Sequence, residues 1–199
     1  MRKLASAALV LAFAAFAFAG TPPLPRKSPE FVITDVTGKP ISVSSYKGKV
    51  VVLTFMYTTC PHCQRESQMV TKLQKDYGAK GFQALGAAFN FEDKDPATTK
   101  AGTVQKFNSE FNVGYPVGYA NRDAVQGYLG ISVMDRYVVP QVAVLDRKGN
   151  IVKQSDSTLG SEELQTEASL RAIIEKLLAE GTTTSSAAPA AKATKVNVR

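Results

Sequence analysis

Six consecutive residues, Val50–Phe55 (VVVLTF), constrain the fold more than any other stretch. A strand with one wet face alternates apolar and polar residues, whereas an unbroken β-branched run suits a strand covered on both faces. Such a strand needs layers above and below it, so the chain must build a sheet between helices. The run leads directly into TTCPHCQ, where both cysteines and the only histidine of the 199 residues fall within four positions, Cys60 to Cys63.

The flanking patterns agree with an α/β layout. After Cys60 the apolar period changes to that of a helix: Met69, Leu73 and Tyr77 recur every four residues, Val70 lies beside them, and Gly78 offers a stop. Phe82–Phe91 (FQALGAAFNF) then reads as a second buried strand, completing a parallel βαβ unit. Upstream, short alternating stretches around TGKP predict a β-hairpin. Downstream, Asp95 is the expected cap of a helix that opens at Pro96 and carries Val104, Phe107 and Phe111 on one face. Between Phe91 and Tyr115 there is room for one helix only, and YPVGYA reads as a short strand.

Asn121 can cap a helix that buries Val125, Tyr128 and Leu129 and stops at Gly130. VVPQVAVLDRKGNIVKQ predicts a strand opened by Pro140, a turn over Asp146–Asn150 and a second antiparallel strand. A helical stripe from Glu162 to Glu180 closes the domain.

The ends read differently. Residues 1–19 have two cations, an apolar run and Ala17-Phe18-Ala19, the layout of a secretory signal cleaved after Ala19. Residues 20–29 hold four prolines and read as an extended linker, residues 30–181 as the domain, and residues 182–199 as a disordered tail. Of the net charge of +7, five positive charges (Arg2, Lys3, Lys192, Lys195, Arg199) sit at the ends, leaving +2 for the rest. No basic run interleaved with aromatics is present, so neither nucleic acid nor, once the signal is removed, a membrane is an expected partner. A mature protein outside the cytoplasm, periplasmic or secreted, is one in which disulfides persist.

A cysteine at the start of a helix, just past a buried strand, meets unpaired backbone N–H groups and the positive end of the helix dipole, both of which favour the thiolate. Cys60 is the expected nucleophile, and Cys63, one turn in, can close a disulfide with it. Other uses of the pair fit less well. A purely structural bridge over so short a loop would contribute only about 2 kcal/mol. Zinc needs more ligands than Cys60, Cys63 and a badly placed His62, and no metal is expected. Covalent haem wants a histidine where Gln64 stands.

The signal segment, the hairpin, VVVLTF running into C-x-x-C, VVP before a late strand, VLDRKGNIV and the terminal helix together resemble extracytoplasmic thioredoxin-like proteins of the TlpA/ResA type, over roughly Phe31 to Glu180. The resemblance implies a thioredoxin fold: a central mixed sheet flanked by helices, with an N-terminal β-hairpin extension and one inserted helix. It implies a thiol–disulfide oxidoreductase working through a redox-active Cys60–Cys63 disulfide, with no other cofactor, on protein thiols or disulfides and with a separate electron donor or acceptor. It makes Pro140 a cis proline facing the cysteines, and Val139 the residue whose backbone meets an extended substrate strand. Tyr57, Thr59, Met134 and Tyr137 become candidate substrate contacts.

Departures from the pattern matter. The buried aspartate common six residues before the first cysteine is Thr54 here, and Thr59 stands where tryptophan is usual. Pro61-His62 is the pair that the oxidant DsbA carries between its cysteines, and a protonated or dipole-oriented His62 would stabilise the Cys60 thiolate. Reference potentials from about −270 mV for thioredoxin to about −120 mV for DsbA span roughly 7 kcal/mol, so the direction of electron flow, reductant as in cytochrome c maturation or oxidant, stays open. Two other classes share the fold. A peroxiredoxin-type peroxidase would want other residues at Tyr57 and Leu53, and a Sco-like copper binder would want wider cysteine spacing and a distal histidine.

Overall fold

A computed structural model describes residues 22–132, 134–156 and 162–180; the expected signal segment and tail lie outside them. Eight strands form one mixed sheet: β1 (Arg26–Lys27), β2 (Val32–Thr34), β3 (Pro40–Ser42), β4 (Val50–Met56), β5 (Phe82–Ala88), β6 (Val117–Tyr119), β7 (Gln141–Leu145) and β8 (Asn150–Gln154), in the spatial order β1-β8-β7-β4-β5-β6-β2-β3. The Val50–Phe55 run lies at the centre of the sheet, between β7 and β5. All seven residues of β4 are buried, paired in parallel with β5 (Val50 opposite Phe82, Met56 opposite Ala88) and antiparallel with β7.

Successive side chains of β4 feed two cores. Val50, Val52 and Met56 face α1 (Pro61–Tyr77), α2 (Ala97–Glu110), α4 (Glu162–Gln165) and α5 (Glu167–Glu180), meeting Val70, Leu73, Val104, Leu164 and Ile174. Val51, Leu53 and Phe55 face α3 (Arg122–Leu129) and the N-terminal segment, meeting Phe31, Val125, Tyr128 and Leu129. This is the mixed sheet with helices on both faces that the thioredoxin fold requires.

Local chemistry explains most element ends. In the β2–β3 hairpin, Asp35 Oδ1 accepts from the N–H groups of Thr37 and Lys39. Asn121 caps α3 by accepting from Asp123 N at 2.8 Å, and Gly130, at φ +69, ends it in the left-handed region that favours glycine. Gly118 lets the hairpin dock on β6, because a Cβ there would run into the Thr34 carbonyl oxygen.

Three details differ from the sequence reading. Pro96, not Asp95, occupies the cap position of α2, and Asp95 folds back to accept from Glu92 N at 2.8 Å. The C-terminal stripe is broken at Thr166 into α4 and α5. Within the proline-rich stretch, Arg26 and Lys27 pair with Ile151 and Asn150 of β8, and the Arg26 guanidinium donates to Tyr128 O and Gln154 Oε1. Backbone N–H groups between prolines are free to join an edge strand when a partner offers itself.

Candidate active site

The two cysteines stand where β4 ends and α1 begins. The connection is a tight turn closed by Cys60 N donating to Tyr57 O at 3.1 Å. Asn90, just past β5, braces it: its Oδ1 accepts from Thr58 N at 3.0 Å and its Nδ2 donates to Thr58 Oγ1, while Gln64 Nε2 donates to Thr58 O. Cys60 is the N-cap residue of α1, Pro61 its first helical residue, and Cys63 lies a turn further in. Cys60 is half-buried, Cys63 buried, and both are free thiols.

The sequence reading aimed the Cys60 sulfur at the helix N–H groups, but its Sγ makes no capping bond. The thiol instead donates to the Val139 carbonyl oxygen at 3.7 Å. A protonated sulfur is a weak acceptor but still a donor, so a carbonyl is its better partner. Val139 precedes Pro140 across a cis peptide bond, and Pro140 is buried. Gln141 secures this loop from below: its buried side-chain amide donates to Val138 O at 2.8 Å and to Asp156 O at 3.2 Å.

The remaining candidates separate. Tyr57 and Tyr137 meet hydroxyl to hydroxyl at 2.9 Å and both pack on Phe89. Burial, then the bond to Tyr137, pushes the Tyr57 phenol up to about 12. Thr59 is exposed beside Cys60. Met134 is 87% exposed on a turn set by Ser132 and Asp135. His62 is exposed, and Arg65 Nη2 lies 3.0 Å from its Nδ1. A guanidinium can only donate, so Nδ1 is the acceptor in this contact.

One candidate residue escaped the sequence reading. Thr54, which replaces the usual aspartate, is turned to the sheet and donates to Leu85 O at 3.3 Å. A carboxyl nevertheless lies beneath the cysteines: Glu66, one turn after Cys63, is buried, and its Oε1 has no hydrogen-bond partner. Burial, and secondarily Cys60, pushes its carboxyl well above the ordinary range. Cys63 is likewise raised, first by burial and then by its hydrogen bond with Cys60. The signal available was spacing, because Cys63, Glu66, Ser67 and Val70 share the helix face that must be buried. A cavity of about 320 Å³, lined by His62, Arg65, Glu66, Met69, Pro140, Gln165 and Glu167, opens from this carboxyl to the surface.

Among the described residues, no three His, Cys, Asp or Glu side chains group in a way that could hold a metal ion.

Comparison with known proteins agrees with this geometry. The family model described as Redoxin matches residues 25–174. The thiol-disulfide oxidoreductase ResA of Bacillus thuringiensis (strain Al Hakam) is 27% identical over 140 residues, 70% of this chain and 73% of that protein. The crystal structure of a thiol:disulfide interchange protein, a thioredoxin family protein from Chlorobium tepidum TLS, superposes with a TM-score of 0.61 at 25% identity over 79% of this chain and 99% of that one. The solution structure of a thiol:disulfide interchange protein from Bacteroides sp. shares the fold, with a TM-score of 0.59 at 21% identity over 78% of this chain and 90% of that one.

Proposed function

The chain belongs to the Redoxin family and is a TlpA/ResA-like thiol–disulfide oxidoreductase, and from that premise we propose that Cys60 and Cys63 exchange disulfides with protein substrates outside the cytoplasm. One observation carries the assignment of roles: the accessible sulfur is that of Cys60, at the N-terminus of α1 and 3.7 Å from Val139 O, while Cys63 is buried behind it. An extended substrate segment passing Val139 and Pro140 would pair with that backbone as an added strand and bring its own sulfur to Cys60. Tyr57 and Tyr137, locked to each other, hold the loop that carries Val139, and exposed Thr59 borders the same entry.

In the reductive direction the Cys60 thiolate attacks a substrate disulfide; a Cys60–substrate bond forms and one substrate sulfur leaves with the electron pair. Cys63 then loses its proton to a base and its thiolate attacks Cys60 Sγ. The Cys60–Cys63 bond forms, the mixed disulfide breaks, and the second substrate sulfur leaves as a thiolate that takes a proton from solvent. The pair is oxidised by two electrons and the substrate disulfide reduced by two. Glu66 is the base within this burial layer, since a carboxyl raised by desolvation can take a proton that an ordinary carboxylate would not hold near neutral pH. The reverse sequence oxidises a substrate dithiol.

The signal-like start of the sequence and the disulfide chemistry support an extracytoplasmic site of action, and no helix among the described residues is long and apolar enough to cross a membrane. Protein thiols or disulfides, and a separate electron donor or acceptor, are the partners this reading requires. Cys63→Ser is expected to accumulate mixed disulfides with partner proteins, visible on non-reducing gels, whereas Cys60→Ser is expected to form none. Equal trapping by both variants would reverse the assignment. The reduction potential of the pair then gives the direction: near −120 mV the protein is a disulfide donor, near −270 mV a reductant.

A further inference from the structure

The face of α1 that packs on the sheet is apolar except beneath the cysteines, where Glu66 and Ser67 are both buried. Opposite them lie Thr54 of β4 and Tyr115, which precedes β6 and is also buried. The approach is fixed by the sheet: Gly86 of β5 sits beside Thr54 in register, and its N–H donates to Pro116 O, the residue after Tyr115. A thiol, a carboxyl, a phenol and two hydroxyls therefore converge inside an otherwise hydrocarbon core that includes Val104, Phe107 and Val117. Ser67 Oγ donates to Met56 Sδ at 3.7 Å and Thr54 Oγ1 to Leu85 O, so each keeps only lone pairs to offer the phenol beside them. Two atoms of this cluster, Tyr115 Oη and Glu66 Oε1, are buried without a partner.

An unpaired buried hydroxyl and an unpaired buried carboxyl oxygen each carry a desolvation cost that proteins rarely leave standing, and a shared water is the usual remedy when the two face one polar space. A phenol in that position offers a donor hydrogen, and a carboxylate offers lone pairs. We propose that Tyr115 is a positioning residue of the resolving step, donating through one buried water to Glu66 so that the Glu66 carboxylate stays turned towards Cys63 and takes its proton. The inference rests on the oxidoreductase reading of this site. As Cys63 attacks the Cys60–substrate disulfide, its S–H proton passes to Glu66, the new S–S bond forms and the substrate thiolate leaves with the electron pair. Glu66 then releases the proton into the cavity shared with His62, Arg65 and Glu167.

The titratable and charged groups that face Glu66 come from three places. Cys60, His62, Cys63 and Arg65 lie on its own helix or at its start, Tyr115 precedes β6, and Glu167 stands on α5. The Tyr115 phenol is itself raised, first by burial; the nearby Ser67 and Thr54 hydroxyls act to lower it, while Glu66 and Cys63 add to the rise. That coupling is reciprocal, so a change at Tyr115 must be felt by the carboxyl.

Tyr115→Phe removes one oxygen and keeps the ring that fills the core. With the full chain reduced and Glu66 labelled at its carboxyl carbon, an NMR titration is expected to show the midpoint of Glu66 rising by about one pH unit in Tyr115→Phe, since losing a hydrogen bond to the carboxylate disfavours its charged form. The pH profile of Cys63 attack on a preformed Cys60 mixed disulfide should shift by the same amount, and in a Glu66→Gln background Tyr115→Phe should change nothing further. A Glu66 midpoint that does not move overturns the proposal. So does equal slowing by Tyr115→Phe with and without the carboxyl, which would mark a merely structural role. The NMR titration needs no substrate, so a chain that exchanged no disulfides would sink the oxidoreductase reading while still showing whether Glu66 and Tyr115 are coupled.

Discussion

Strand β4 presents its two faces to two different kinds of core. On one face Phe55 meets Phe31 and Tyr128 at ring-centroid separations of 5.4 and 5.6 Å, within a cluster of Phe, Val, Leu, Ile and Ala. The polar tip of Tyr128 reaches Ser28 Oγ at 2.8 Å, so even this ring has its hydroxyl paired. On the other face the same strand contributes Thr54, and the layer against it holds Cys63, Glu66, Ser67 and Tyr115, with two polar atoms unpaired. Unpaired buried polar atoms cost stability, and two of them, Glu66 Oε1 and Tyr115 Oη, lie in the layer that carries the chemistry. The difference teaches that one sheet can hold a stabilising layer and a reactive layer a single residue apart, because adjacent strand side chains point to opposite sides.

That comparison breaks most visibly on its apolar side. Phe55→Ala is expected to cost about 3–5 kcal/mol, because it removes a fully buried ring from between two others. Urea unfolding measures the loss, and the folded fraction should retain its rate of disulfide exchange. A loss below about 1 kcal/mol would mean that this face can collapse around the gap.

The polar side gives a smaller effect with a pH signature. Glu66 is raised in the folded state, so its contribution is fully present below the ordinary carboxyl value of about 4.3 and is lost as the pH climbs through the raised one. The native protein should therefore weaken over that window with a slope of up to about 1.4 kcal/mol per pH unit, and Glu66→Gln should remove that part of the slope. Unfolding curves at several pH values check it. An unchanged slope in the variant would place the carboxyl in water rather than in the core.

The smallest effect belongs to a surface feature of the apolar layer. Asn121→Ala deletes the bond to Asp123 N at the start of α3 and should cost about 1 kcal/mol without altering exchange. An altered exchange rate would show that α3 communicates with the reactive face, and the separation of the two layers would need revision.

How much was legible follows from the range over which each signal acts. The β4 run, the α1 period, the β2–β3 and β7–β8 hairpins and the Asn121 and Gly130 ends of α3 were all readable, because periodicity, turn residues and caps act within a few positions. Asp95 misled for the same reason: as a capping residue it competes for any nearby N–H, and the one it took was Glu92 N, behind it. The strand at Arg26–Lys27 and the break at Thr166 depended on partners far along the chain. Of the site, the cysteine pair and the residues around Pro140 could be named from sequence, whereas the braces Asn90 and Gln141 could not. Their side chains matter only through Thr58, Val138 and Asp156, which folding brings to them.

By itself the sequence determined the α/β layering and the placement of two thiols one helical turn apart at the end of a buried strand, since both follow from local residue order. Tertiary structure alone decided what surrounds those thiols. The spacing from Cys63 and Val70 puts Glu66 on the buried face of α1, but nothing in the residue order joins it to Tyr115 forty-nine positions away. Desolvation and hydrogen bonding are properties of what lies around a group, and those surroundings exist only once α1 has closed over the sheet.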